Sequence, residues 1–478
     1  MKNTTNTHQP KALPFLFLTE MWERFGFYVV QGLLVLYMTQ SFGFSDNESY
    51  TLLGVFTALV YISPIVGGLV ASHLLGFKTA IVWGGLFLVF GYFLLALPYP
   101  DMFFYPGLAI IIVGNGLFKP NISSLLGTQY TGHDPRRDSG FTIFYIGINV
   151  GALLAGFSSG YIKDMFGWGI SFALASIGLM IGLAIFCYGL RYIKDTHKKL
   201  HTNTLFKLRL LAYCLLAAIA ICFLLKINAL AIWLLPCVGV LLMVYLTVLT
   251  LQHKAKQRKD LITLNILIIS SIVFWMLFLQ IFYSANLFVD RLVDKQLFGI
   301  PLSTTVFYAT ESLFVILLGP LFAWSWNKLG KKKKNPEPVN KFAAGIFFTG
   351  LGFVVLAAST LFPNGTGFIS PLWVFSSYFL ITIGELLLSP IGLSAVTLLS
   401  PEKLTGMMMG VWFVANGFGG IFAGWLARMS SVPNADITIT DKLAIYQSAF
   451  LYYAYIAFFV AFSLFLVQVA LKHFLRTR

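Results

Sequence analysis

Residues 13–40 read LPFLFLTEMWERFGFYVVQGLLVLYMTQ. As a helix this stretch is long and apolar enough to cross a bilayer, which takes roughly 20 residues. Yet Glu20, Glu23 and Arg24 sit within it. Together with Phe27, Tyr28 and Gln31 they lie at offsets of three, four, seven, eight and eleven from Glu20, so all six share one helical face. Each charge at the centre of a span costs about 2.5–3.5 kcal/mol on insertion scales. Such a face is too polar for lipid and needs an interior made by other helices. Glu20 and Arg24, spaced i to i+4, can neutralise each other, but that leaves Glu23 unexplained.

The remaining chain supplies that interior. Of 478 residues, 58% are hydrophobic and only 11% charged, whereas soluble domains carry roughly 25% charged residues. Apolar runs recur at about 13–40, 50–71, 79–98, 103–127, 142–162 and 169–190. Two more lie at about 210–226 and 229–251, and six at about 261–283, 303–326, 341–362, 372–399, 406–428 and 447–471. An outer-membrane barrel would show short alternating segments instead. The pattern predicts an all-α polytopic membrane protein with fourteen transmembrane helices. The N-terminal MKNTTNTHQPKALP lacks the apolar core and cleavage site of a removable signal peptide, so the first helix is expected to be retained. Cys187, Cys214, Cys222 and Cys237 all fall in spans without metal-ligand spacing and read as apolar filler.

The net charge of +15 is a matter of topology rather than of nucleic acid. Most of the 33 Lys and Arg fall on one side when the spans are threaded in order. These include Lys198 and Lys199 beside His197, the run Lys254 to Lys259, the Lys331–Lys334 tetrad and both termini. By the positive-inside rule that side is cytoplasmic. The predicted organisation is a six-helix bundle (1–191), an inserted transmembrane hairpin with basic flanks (192–259) and a second six-helix bundle (260–478). Two six-helix halves resemble the major facilitator architecture, whose site lies near the membrane midplane.

Further ionisable groups interrupt later spans. Lys119 precedes Pro120 in GNGLFKPNISSLLG (114–127), too near mid-span for comfortable snorkelling. Glu311 lies in FYATESLFVILLGP (307–320) and Glu385 in ITIGELLLSPIGLS (381–394). Four carboxylates against two cations cannot all ionise in one low-dielectric cavity, so one or more should hold a proton near neutral pH. Tyr61, Asn149, Trp275, Asn286 and Trp412 are candidates for the cavity lining, although the aromatics fit core packing or an interfacial belt equally well. No phosphate loop or HExxH appears, which leaves an ATP-driven pump or membrane protease unsupported.

The run EMWERFGFYVVQGLLVLYM (20–38) resembles the ExxERFxYY motif of the proton-dependent oligopeptide transporter family. GNGLFKPNISSLLGTQY (114–130) and FTIFYIGINVGALLAG (141–156) resemble its fourth- and fifth-helix motifs. GELLLSPIGLS (384–394) and MMMGVWFVANGFGG (407–420) resemble its tenth and eleventh helices. The resemblance implies proton coupling through Glu20, Glu23, Arg24, Lys119 and Glu385. It implies that Arg24 and Lys119 bind a peptide's C-terminal carboxylate and that Glu385 and Asn149 hold its amino terminus. Tyr28, Tyr61, Trp275, Ser389 and Trp412 would complete the pocket, and Lys119 would pair with Glu385 between the halves in one access state.

The chain departs from the family pattern at several positions. Phe27 replaces the motif's first tyrosine, Ser72 a usual aspartate, and Gln31 and Leu279 a usual pair of opposite charges. Glu311 stands where the family usually has asparagine. A carboxylate there strengthens ammonium binding, adds a protonation site or selects a substrate with an extra cation. The resemblance implies a symporter that imports di- and tripeptides with protons by alternating access, without a cofactor. It would act as a monomer in the inner membrane with both termini cytoplasmic, and its partners would be small peptides, protons and the lipid bilayer. A proton-coupled carrier of another amine-bearing or peptide-like solute is the alternative that Glu311 raises. An ion channel fits less well, because charges of both signs converge rather than forming a ring of one sign.

Overall fold

The computed structural model describes residues 8–130, 134, 136–194, 203–332, 334–401, 404–433 and 437–476. The predicted basic cluster at His197, Lys198 and Lys199, and Lys333 of the tetrad, lie outside the described residues. In chain order the helices are α1 (Leu13–Gln40), α2 (Asp46–Val70), α3 (Phe77–Ala96), α4 (Pro100–Gly127), α5 (Arg137–Phe166) and α6 (Trp168–Gly189). Then come α7 (Thr204–Lys226), α8 (Asn228–Gln252), α9 (Ala255–Phe278) and α10 (Ser284–Leu292). The last five are α11 (Thr304–Lys331), α12 (Pro338–Ser359), α13 (Pro371–Leu399), α14 (Thr405–Ala427) and α15 (Ile439–Arg476). Among the described residues, 13 helical stretches are long and apolar enough to cross a membrane. The 28-residue α1 is a further span, made exceptional by its three charges. The protein is an all-α polytopic membrane protein, as its composition predicts.

Two spans differ from their sequence outlines. A π-helical turn at Ala71–Leu75 carries α2 on to Gly76, whose φ of 75° stops the helix before α3. The span expected at 261–283 runs instead from Gln257 to Leu292 and is broken after Phe278. Gln280 satisfies the break: its amide donates to Met276 O at 3.1 Å and Ala423 O at 3.0 Å, and its carbonyl accepts from Ser284 Oγ at 2.6 Å. The helix resumes as SANLFVDRL, too polar to read as apolar continuation. After it, strands β1 (Gln296–Leu297) and β2 (Ile300–Pro301) form a hairpin over Phe298 and Gly299, both with positive φ as a type I′ turn requires.

The chain divides into two compact units, Met1–Leu33 with Ile62–Lys226, and Leu34–Tyr61 with Ile227–Arg478. The border therefore cuts through the continuous helices α1 and α2. In the first unit, α3 and α4 run antiparallel across a glycine seam. A Cβ on Gly84 would lie 2.7 Å from Gly114 O, and one on Gly114 would lie 2.8 Å from Gly84 O. Gly91 and Gly107 repeat the arrangement seven residues along each helix, at 3.0 and 3.2 Å. Small residues at such a crossing let the backbones pack directly, the usual source of helix association in lipid. Gly114 directly precedes Asn115 and lies five residues before Lys119, so the seam sets the height and rotation of both side chains.

Gly114→Val should force α3 and α4 apart, at a cost of about 1–3 kcal/mol for overpacking. Melting of the purified variant should fall measurably below wild type, and an unchanged melting temperature would show that the seam is slack.

In the second unit, Asp46 at the start of α2 accepts both terminal nitrogens of Arg291 at 2.7 Å and the N–H of Val432 at 2.9 Å. Gln40 donates to Asp290 at 2.7 Å and Tyr283 to Thr57 at 2.9 Å, which ties residues 34–61 into this unit. Helices α7 and α8 stand apart in exposure. Only 17% of the most apolar stretch of each is buried, against 67% for α4. A helix apolar all round and so exposed is a lipid-facing helix.

Candidate functional site

The polar face of α1 becomes a buried ion network in the first unit. Glu20 and Glu23 are fully buried and Arg24 is 6% exposed. Arg24 turns its planar fork on Glu23, with Nε and Nη2 donating to the two carboxylate oxygens at 2.6 Å each. Its contact with Glu20 is looser, at 3.8 Å. Glu20 instead takes the ammonium of Lys119 from α4 in a short ion pair. Asn115, one turn before Lys119, accepts from Arg24 Nη2 at 3.2 Å, and Phe27 lies under the guanidinium at 4.5 Å. The simple i to i+4 neutralisation of Glu20 by Arg24 is thus not the main arrangement. Both carboxylates have a cation of their own.

This network is electrically neutral, two carboxylates against two cations, which is how buried charge becomes tolerable. It is not saturated. Glu20 Oε2 and the side-chain oxygen of Gln31 are buried with no hydrogen-bond partner among the described residues. Asn149 on α5 is also in this unit, 7% exposed, with its amide donating back to Tyr145 O at 3.2 Å. Tyr28 is half-buried on the same face of α1. Gly151 of α5 lets that helix approach α1 closely, since a Cβ there would lie 2.3 Å from Met21 O.

The second unit holds the other group. Glu311 on α11 and Glu385 on α13 are each 8% exposed and lie close to each other, and Glu385 Oε2 is buried with no hydrogen-bond partner among the described residues. Ser312 Oγ donates to Glu311 at 3.0 Å. Pro390 leaves a carbonyl one turn earlier in α13 without its helical donor. Ser389 beside it is half-buried, as is Tyr61 at the end of this unit's α2 segment. Trp275 stacks edge-on with Phe274 and Phe278, its Nε1 buried with no partner among the described residues. Trp412 is 2% exposed and passes directly over Gly392, where a Cβ would lie 2.1 Å from its ring. Asn286 on α10 is buried.

The candidate residues thus form two sets, one in each unit. Within its own unit Lys119 pairs with Glu20, and within the other Glu385 lies beside Glu311. Asn115 was not singled out from the sequence, although its position four residues before Lys119 puts it on the same face of α4. Among the described residues no group of three or more His, Cys, Asp or Glu could hold a metal ion.

A family model described as the POT family matches residues 78–443. The chain belongs to the POT family. Its α1 motif, with Glu20, Glu23 and Arg24, lies outside that matched range, so the two observations are independent. This POT member is 35% identical over 448 residues to dipeptide and tripeptide permease A of Yersinia pestis, covering 93% of this chain and 89% of the relative. A crystal structure of a peptide transporter, a glutamate-to-glutamine variant in complex with alafosfalin, superposes with a TM-score of 0.84 at 32% identity, over 98% of this chain and 96% of that one. A structure solved for substrate recognition in proton dependent oligopeptide transporters superposes with a TM-score of 0.86 at 28% identity, over 97% and 99%.

Proposed function

We propose that the chain is a proton-coupled symporter that carries di- and tripeptides into the cell across the inner membrane by alternating access. The observation that carries this reading is the bidentate Arg24–Glu23 pair. A peptide's C-terminal carboxylate presents the same two oxygens as Glu23. It can displace Glu23 from the fork only when Glu23 gives up its charge, because two carboxylates on one guanidinium would leave a buried negative charge uncompensated. A proton on Glu23 supplies that neutralisation, so binding of peptide and proton is linked. Glu20 and Lys119 repeat the logic one turn away, with a point charge in place of a fork.

Glu385 and Asn149 receive the peptide's ammonium, and Tyr28, Tyr61, Trp275, Ser389 and Trp412 line the side-chain pockets. Both residue sets belong to one chain, so a monomer suffices. The basic loops support a topology with both termini in the cytoplasm. The proton gradient drives the cycle without a cofactor. An amidated dipeptide, which lacks the terminal carboxylate, tests the central step. It should compete at least about tenfold less well than the free acid, the loss expected for a charge-assisted hydrogen bond. Equal competition would mean that these cations do not read the terminus.

The Glu311–Glu385 contact bears on the alternative, a carrier for another amine-bearing solute. The closeness of the two buried carboxyl groups supports Glu311 as an added protonation site rather than as a free anion waiting for an extra cation, since like charges side by side disfavour each other. Glu311→Asn should therefore shift the pH profile of uptake and leave the preference between neutral dipeptides and lysyl dipeptides unchanged. A selectivity change at two pH values with no shift in profile would favour the other solute.

A further inference from the structure

Helix α8 touches α14 at Gly239, where a Cβ would lie 2.8 Å from the Phe418 ring, and α9 at Thr250, which accepts from Asn265 at 3.0 Å, and a cavity of about 430 Å³ remains between the three. Its walls are apolar, with Pro236, Gly239 and Val244 from α8, Ile272 from α9, and Ala415 and Phe418 from α14. The one lining hydroxyl, on Thr247, is already donated to Met243 O at 2.8 Å. Val240 and Val244 at its rim are 64% and 55% exposed, so the groove opens outward from α8 rather than into the protein. All three helices are spans, and the medium outside them is lipid. The twelve helical steps from Pro236 to Val248 make the groove about 18 Å long, close to the depth of one leaflet of a hydrocarbon core about 30 Å thick.

The end beyond Val248 is charged. Helix α8 stops at Gln252, and Lys254, Arg258 and Lys259 follow, all exposed, with Asp260 the neighbouring acid. None of the three cations has a carboxylate within ion-pair distance among the described residues. An apolar slot one leaflet deep, followed along the chain by a cluster of cations without carboxylate partners, has the form of one molecule. We propose that the groove between α8, α9 and α14 binds one acyl chain of an anionic phospholipid, whose headgroup phosphate rests on Lys254, Arg258 and Lys259. Such juxtamembrane cations attract acidic lipid. The bound chain presses on the stretch of α14 that carries Trp412, through Ala415 and Phe418 three and six residues further on.

The test labels the purified full-length protein in lipid nanodiscs with phosphatidylglycerol carrying a mid-chain diazirine, and maps the adducts by mass spectrometry. Wild type should be labelled at groove residues of α8 and α14, and at Trp233, a 71% exposed position on α8 outside the groove that reports ordinary annular lipid. Val244→Phe at the rim, and Ala415→Phe from the floor, should suppress the groove adducts and spare Trp233. Replacing Lys254, Arg258 and Lys259 by Gln should lower groove labelling by about fivefold per cation, down to the level seen with the phosphatidylcholine analogue. Inorganic phosphate should compete poorly, since it lacks the chain. If the groove and Trp233 respond alike to every substitution and both lipids, or if phosphate alone abolishes labelling, the site is not a phospholipid site. A covalent dimer joined through the groove would assign it to a second copy instead and overturn the proposal.

Discussion

Glu23→Gln should abolish gradient-driven accumulation of dipeptide while leaving exchange of labelled for unlabelled peptide measurable. Glutamine keeps the shape and one acceptor oxygen but can never ionise, so it holds the site permanently in the protonated-like state. Arg24 then loses one of its two charged contacts at 2.6 Å and is free for the substrate at any pH. Binding becomes independent of the proton and the gradient has nothing to act on. Glu20→Gln should have the same sign through Lys119. The fold should survive both changes less well than a surface change, since removing one partner of a buried pair costs about 3–5 kcal/mol. Exchange activity serves as the control for folding. Accumulation by Glu23→Gln at wild-type levels would remove Glu23 from the coupling step.

Arg24→Lys should be nearly as severe, although the charge is kept. The wild-type guanidinium meets Glu23 through two nitrogens, reaches Asn115 at 3.2 Å and lies over Phe27 at 4.5 Å. A lysine ammonium is a point charge that cannot hold a carboxylate by two parallel bonds and stack on a ring at once. Peptide affinity should fall about 10- to 100-fold, the value of one or two charge-assisted hydrogen bonds. Lys119→Arg should be milder, because Glu20 uses Lys119 as a single charge. If Arg24→Lys retained wild-type affinity, the fork geometry would be irrelevant and only the sign of the charge would count.

The charged face of α1 was legible because lipid tolerates no such face. Three charges at spacings that fall on one side of a helix leave a bundle interior as the only place for them. The partners on that face were less legible. Sequence spacing suggested Glu20 with Arg24, whereas in the structure Arg24 turns to its immediate neighbour Glu23. A long guanidinium can fold along the helix to reach an adjacent residue, and Lys119, three helices further along the chain, claims Glu20. Such a choice depends on where α4 stands, which the Gly84–Gly114 seam decides. Nothing local to α1 encodes it. Glu311 was noticed as a departure, and three roles were open. Its contact with Glu385 is a tertiary fact that neither FYATESLF nor ITIGELLL contains. The length of the α9–α10 span was missed for a similar reason: its second half is polar, and Gln280 bridges the break only once folded.

The proton claim has one direct measurement. Purified protein in liposomes carrying an inside-trapped pH dye should show peptide-dependent proton influx, and labelled dipeptide should accumulate against its own gradient only while the imposed proton gradient stands. Addition of an uncoupler should collapse accumulation to equilibrium and leave exchange intact. Accumulation that persists after the uncoupler, or peptide entry with no acidification of the lumen, would contradict the account.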